Sequence, residues 1–186
     1  MNAVRPSSPP LRQASSPGIF ELPALTIGLV AARLADHEAI AWVRAELEVE
    51  LARTTAKGQS GRALSALANP MEHALAESVL SAGFSLEAVV PSRSFATTLD
   101  APERRAFESL LARTSDKTIL TYEKPTDAAF EAAARFIVYY SDTVIVVLDE
   151  EEERRTWSKA LLDYARDHKR RVLVLDPTER TATPAD

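Results

Sequence analysis

The chain has 186 residues, enough for one domain with a full core, and its 46% hydrophobic and 26% charged residues describe a globular protein rather than a disordered one. It contains no cysteine, which excludes disulfides, cysteine–zinc sites and thiol catalysis and suits the reducing cytoplasm where we expect it. The formal net charge of −5 argues against a general nucleic-acid binder, so nucleic acid is not expected as a partner, and no apolar run approaches the roughly 18 residues of a membrane span.

Residues 1–21 are rich in proline and serine, with Pro9-Pro10 and Ser15-Ser16-Pro17-Gly18, and read as a disordered arm that lacks the apolar core of a signal peptide. The ordered domain is expected over 22–178, with a frayed tail over 179–186. Ala24–Ala32 reads as the first strand. Asp36 caps a helix whose apolar face is Ile40, Val43, Leu47 and Leu51, with Trp42 off that stripe. Lys57–Gly61 stops it. Arg62–Leu67 is a second short strand. Asn69, Pro70 and Glu72 then start a helix as N-cap, first helical residue and capping-box acid, with Leu75, Val79 and Ala82 on its buried face and Gly83 as its stop.

Ser85–Val90 is the third strand. The connection Pro91–Leu99 is long for an α/β loop, and Pro102 opens a helix with Ala106, Phe107, Leu110 and Leu111 inward. Thr118–Tyr122 reads as a strand at or near an edge. Thr126 or Asp127 caps a helix with Phe130, Ala133, Ala134 and Ile137 on one side. The stretch Ser141–Asp149 is an unbroken β-branched and apolar run, the pattern of a central strand covered on both faces. Trp157, Ala160, Leu161, Tyr164 and His168 mark the last helix, and Arg171–Leu175 the final strand. Strands alternate with helices throughout. The expected fold class is therefore α/β: a Rossmann-like three-layer α/β/α sandwich with a mostly parallel central sheet.

The segment Ala63–Glu77, the strand end Ala88-Val89-Val90-Pro91, the helix and strand from Arg135 to Asp149, and Asp163-Tyr164-Ala165-Arg166 together resemble the SLOG superfamily. These are Rossmann-like domains related to the lysine-decarboxylase-like LOG proteins and to the DNA-processing protein DprA. The resemblance covers about Leu25 to Pro177 and implies nucleotide-type ligands. Its departures are specific. The glycine-rich turn after the first strand is Gly28-Leu29-Val30-Ala31-Ala32-Arg33, without its second glycine or its histidine. The Gly-Ala-Asp turn is replaced by Pro70-Met71-Glu72, and the Gly-Gly-Thr turn by Thr156-Trp157-Ser158, where side chains obstruct a phosphate. The phosphoribohydrolase stretch of the LOG proteins is missing, which implies that this activity is missing too.

Open α/β sheets bind ligands at the carboxyl ends of their strands, so the candidate rim is Arg33, Ser65, Asn69, Glu72, Arg93, Asp149 and Ser158. Arg33 suits a phosphate or carboxylate, with a surface ion pair as the alternative. Ser65 is expected to bond its own loop. Asn69 and Glu72 have a sufficient role as a helix cap, although Glu72 also stands at the family's ribose-binding aspartate. The acids at 149–153 are offset by Arg154-Arg155, and no histidine pair has metal-ligand spacing, so no metal is expected. No nucleophile–base–orienter set is recognisable, no catalytic residue is nominated, and no cofactor is assigned. The expected function is binding of a nucleotide or nucleotide-derived ligand, as a sensor. The alternatives are a degenerate scaffold that forms a homodimer or binds a protein partner, with Trp42 at the contact, and then an enzyme acting on nucleosides or nucleotides.

Overall fold

The computed structural model describes residues 24–33, 36–56, 61–148 and 152–185, of which 152–157 in backbone only. The expected N-terminal arm lies outside the described residues. The elements in order are β1 (Leu25–Ala31), α1 (His37–Thr55), β2 (Gly61–Ser65), α2 (Pro70–Ser81), β3 (Ser85–Val90), α3 (Phe95–Thr98), α4 (Ala101–Leu111), β4 (Asp116–Ile119), α5 (Asp127–Tyr139), β5 (Thr143–Val147), α6 (Glu152–Asp167), β6 (Arg171–Asp176) and β7 (Thr181–Ala185). They form one sheet in the order β4-β3-β2-β1-β5-β6-β7, parallel except for β7. The chain winds outward from β1 to β4, then crosses to β5 on β1's other side. This is the doubly wound arrangement of a three-layer α/β/α sandwich.

The apolar run at Thr143–Val147 is the reason the sheet has this centre. All five residues are buried between β1 and β6. Alternate residues of β1 feed two cores. Ile27 and Leu29 pack with Leu47 of α1, Leu75 of α2 and Phe107 of α4, while Val30 packs with Ile137 of α5 and Leu161 of α6. Asp36, Asn69, Asp100 and Thr126 cap the helices that follow them, each accepting from backbone N–H groups of the first turn.

Gly28 lies inside β1, not in a turn. A β-carbon there would stand 2.6 Å from Ser141 Oγ and 2.8 Å from Ile137 Cγ2, so the glycine lets α5 settle against the strand. Gly83, at φ +83°, ends α2 as the sequence predicts.

Several expectations change. The Pro91–Leu99 connection contains the short helix α3, whose Phe95 is buried edge-on against Phe107 with centroids 5.3 Å apart. Ala82, Ala106 and Ala160 face solvent. Trp42 rests half-buried against the core instead of standing out as a contact. The tail expected to fray from 179 is a strand instead. Asp176 Oδ1 accepts from Thr178 N at 3.0 Å and Glu179 N at 3.1 Å, which turns the chain, and β7 returns antiparallel along β6. No helix among the described residues is long and apolar enough to cross a membrane.

Candidate functional site

Three predicted residues, Ser65, Asn69 and Glu72, meet at the carboxyl end of β2, and all are buried. Asn69 accepts from Glu72 N at 3.0 Å and donates from Nδ2 to Ala31 O at 2.9 Å, tying the start of α2 to the end of β1. The Glu72 carboxylate accepts from Ala68 N at 2.8 Å and from Ala31 N at 3.3 Å, with Ser65 Oγ 3.5 Å away. Ser65 Oγ also accepts from Leu67 N at 3.1 Å, the loop bond expected of it. Burial raises the Glu72 pKa from 4.5 to about 7, against the lowering effect of its hydrogen bonds from Ala68, Ala31 and Ser65.

Sequence reasoning missed two members of this cluster. Leu67 is fully buried at φ +53°, a conformation unusual for leucine, and His73 Nε2 lies 2.9 Å from its carbonyl. Desolvation lowers the His73 pKa. A histidine one helical turn behind an asparagine cap was the available signal, but nothing local says which carbonyl it meets. The cluster is therefore a self-satisfied turn. Glu72 occupies the N–H groups that a phosphate would otherwise use.

The open part of this rim lies beside the cluster. A cleft of about 780 Å³ is lined by Arg33, Ala68, the α3 residues Phe95, Thr97 and Thr98, Glu103, and the Lys124–Thr126 loop with Phe130 behind it. Its walls are fastened together: Arg93 N donates to Tyr122 O at 2.9 Å, Ser94 N to Glu123 O at 3.2 Å, and Ser94 Oγ to Glu123 O at 2.5 Å. Arg33 reaches across to form an ion pair with Glu103. Lys124 carries no carboxylate partner among the described residues. Two cations and several hydroxyls around a half-apolar floor suit a phosphate-bearing ligand with a flat organic part.

The other predicted residues stand apart from this cleft. Arg93 is exposed and paired with Glu123 at 2.6 Å. Ser158 is buried on α6, on the far side of the sheet from α2. Asp149 lies outside the described residues, as does the Trp157 side chain. Among the described residues no group of three or more acids and histidines could hold a metal ion. Lys124, Thr126 and Phe130 were missed as site residues because only the fold brings their loop opposite Arg33.

A doubly wound, mostly parallel sheet covered by helices on both faces is a Rossmann-like α/β architecture. More particularly, it is similar in fold to DNA processing protein A. The Helicobacter pylori protein, whose structure is described for its single-stranded DNA binding mode, matches with a TM-score of 0.58 and 17% identity over 83% of this chain and 70% of its own. DNA processing protein A (DprA) from Streptococcus pneumoniae matches with a TM-score of 0.58 and 18% identity over 81% of this chain, which spans 50% of that protein. The Moco carrier protein of Chlamydomonas rheinhardtii is a weaker likeness, with a TM-score of 0.48 and 13% identity over 84% and 79% of the two chains. No protein-family model and no curated protein matches the sequence.

These likenesses correct one expectation. Setting nucleic acid aside, and placing a nucleotide-type small molecule, a homodimer or a protein partner ahead of it, does not stand. A protein of this same fold is described as binding single-stranded DNA. The physical reason is that net charge sums over the whole chain and says nothing of local cationic surfaces.

Proposed function

We propose that this domain recognises nucleotide chemistry, holding the phosphate of a nucleotide, free or within a single strand, between Arg33 and Lys124. The observation that carries the reading is the cleft itself: Arg33 and Lys124 both line it, with the hydroxyl residues Ser94, Thr97, Thr98 and Thr126, at the carboxyl ends of the strands. The predicted residues Ser65, Asn69 and Glu72 support it from behind by fixing the turn that forms the cleft wall at Ala68. The domain acts by binding, as a sensor, rather than by catalysis. This is supported by Glu72, the acid at the family's aspartate position, being buried beneath two backbone N–H groups.

The test is thermal unfolding of the full chain against mononucleotides, cyclic dinucleotides and short oligothymidylates. A ligand at about 100 times its dissociation constant stabilises by roughly 2.7 kcal/mol, a shift of several degrees. The expected result is a shift for at least one of these, lost in the Arg33→Ala, Lys124→Ala double variant. A shift from mononucleotides identifies a free ligand, and one from oligomers alone a strand. A flat panel, or shifts that survive in the double variant, overturns the proposal.

A further inference from the structure

The cleft lies at the carboxyl ends of the strands. At the opposite end of the sheet, where α5 closes, a second surface has different chemistry. Tyr139 and Tyr140 are 47% and 51% exposed. Their rings stand edge to face with centroids 5.0 Å apart, and Phe136 lies against Tyr140 at 4.5 Å. Phe136 and Tyr140 form one wall of a groove of about 240 Å³ over β2, β3 and β4. The strand register fixes what else faces it. Leu64 and Val89 belong to the core beneath α5, so Arg62 and Glu87, two residues before them, point the same way. Asp116 stands opposite Glu87 and shares its face, while Lys117, opposite Ala88, points to the other face of the sheet. Glu87 is half-buried and pairs with Arg62 at 2.8 Å. Asp116 is exposed, accepts from Lys117 N at 2.7 Å, and has no cationic partner among the described residues. The groove thus joins aromatic rings on its helix side to carboxylates on its sheet side.

The chain enters the sheet beside this groove. Thr26 Oγ1, at the start of β1, accepts from Arg62 Nε at 3.0 Å, and Thr26 O accepts from Asp142 N, two residues past Tyr140, at 2.9 Å. Ahead of that point the sequence reads Arg5-Pro6-Ser7-Ser8-Pro9-Pro10-Leu11-Arg12, and residues 1–20 hold these two arginines and no acid. A polyproline helix has about three residues per turn and a rise of about 3.1 Å, so Pro6, Pro9 and Arg12 would share one face at intervals of about 9 Å. At that rise the stretch from Arg12 to Ala24 spans about 37 Å, whereas β1 and β4 are three strand spacings apart, about 14 Å. Both walls of the groove are therefore within its reach.

We propose that residues 5–12 of this chain dock in the groove, with proline rings against Phe136, Tyr139 and Tyr140 and the Arg12 guanidinium toward Glu87 and Asp116. Aromatic-lined grooves take proline-rich segments because such a segment is already extended and loses little entropy on binding. The carboxylates supply the partner that a guanidinium seeks. A tether of this length gives an effective concentration in the millimolar range, so a segment with a dissociation constant of about 1 mM is docked about half of the time. Surface and occupant are both independent of the Arg33–Lys124 cleft.

The test is paramagnetic relaxation in the full chain. Because the protein has no cysteine, Ser8→Cys gives a single site for a nitroxide label, off the face that carries Pro6, Pro9 and Arg12. The expected result is strong broadening of the Thr118 and Tyr140 amide signals, with those of Leu47 and Leu110, in the core on the other side of the sheet, left sharp. Pro6→Ala with Pro9→Ala is expected to abolish the broadening. Arg12→Ala in the chain, or Asp116→Lys in the groove, is expected to reduce it, and Ser15→Ala with Ser16→Ala to leave it unchanged. Substitutions ahead of residue 24 leave both cores intact, so a loss reads as undocking and not as unfolding. The inference is overturned by any of three results: no broadening, or broadening alike on both faces of the sheet; broadening that survives in the proline and arginine variants; or broadening as strong in a dilute mixture where the label is on one copy and the observed nuclei on another, which would give the groove to a second copy.

Discussion

Glu72 shows how a residue can be found by position and misread by role. Its place after Asn69-Pro70 marks a capping box, and the cap forms. Its side chain bypasses the usual capping-box partner, the Asn69 N–H, and takes instead the N–H groups of Ala68 and Ala31. Orientation decided this, and orientation depends on β1 lying alongside. The same holds for Gly28. In the sequence it reads as the remnant of a phosphate turn, but in the fold it makes room for Ile137 and Ser141. Because the folded state holds Glu72's proton up to about pH 7 against 4.5 when unfolded, its contribution to stability is full below pH 4.5 and is lost as pH rises through 7, on the order of 3 kcal/mol in all. His73, whose pKa is lowered from 6.5, acts in the opposite sense, its contribution falling away as pH drops below 6.5. Urea unfolding from pH 4.5 to 8 is therefore expected to show a flatter profile in Glu72→Gln above pH 6.5. A parallel pair of curves would refute the assignment.

At the scale of elements, most of the architecture was legible because buried parallel strands and capped helices are locally coded. The run Thr143–Val147 marks its own place, and Asp36, Asn69 and Thr126 mark three helix starts. The strand β7 was not legible. Thr-Ala-Thr-Pro-Ala is polar, mostly exposed and interrupted by Pro184, which reads as tail unless the strand is at an edge, where a proline is tolerated. What fixes it is the turn at Asp176 and the apolar β6 beside it, which would otherwise present a bare hydrophobic edge. Truncation after Arg180 is expected to lower stability by about 1–2 kcal/mol and to promote association at concentrations where the full chain stays dispersed. Unchanged melting together with unchanged light scattering would show that β7 contributes nothing.

At the scale of the molecule, one sheet separates two cores of unequal cover. Among the described residues α1, α2, α3 and α4 lie on one side and α5 and α6 on the other, and at the β4 edge Ile119 is left 49% exposed. Backbone hydrogen exchange is expected to be slowest in β1 and β5, which have parallel neighbours on both sides and lie between the two cores, and fastest in β4 and β7 at the two edges. Protection in β4 equal to that in β5 would contradict this order. The cleft at the start of α5 was hidden from the sequence because it is assembled from loops that are distant in the chain, those carrying Arg33 and Lys124.

The Arg33–Glu103 pair sets a threshold for whatever enters the cleft. A guanidinium already satisfied by a carboxylate gives little advantage to a weakly charged visitor such as chloride or acetate, because it trades one monovalent partner for another. On the proposed reading, a doubly charged phosphate competes with Glu103 for Arg33 and releases that carboxylate at the start of α4. The occupied cleft then differs from the empty one by a released acidic group as well as by its guest. If the proposed ligand binds in this way, occupancy frees a carboxylate in the first turn of α4, at the wall of the cleft.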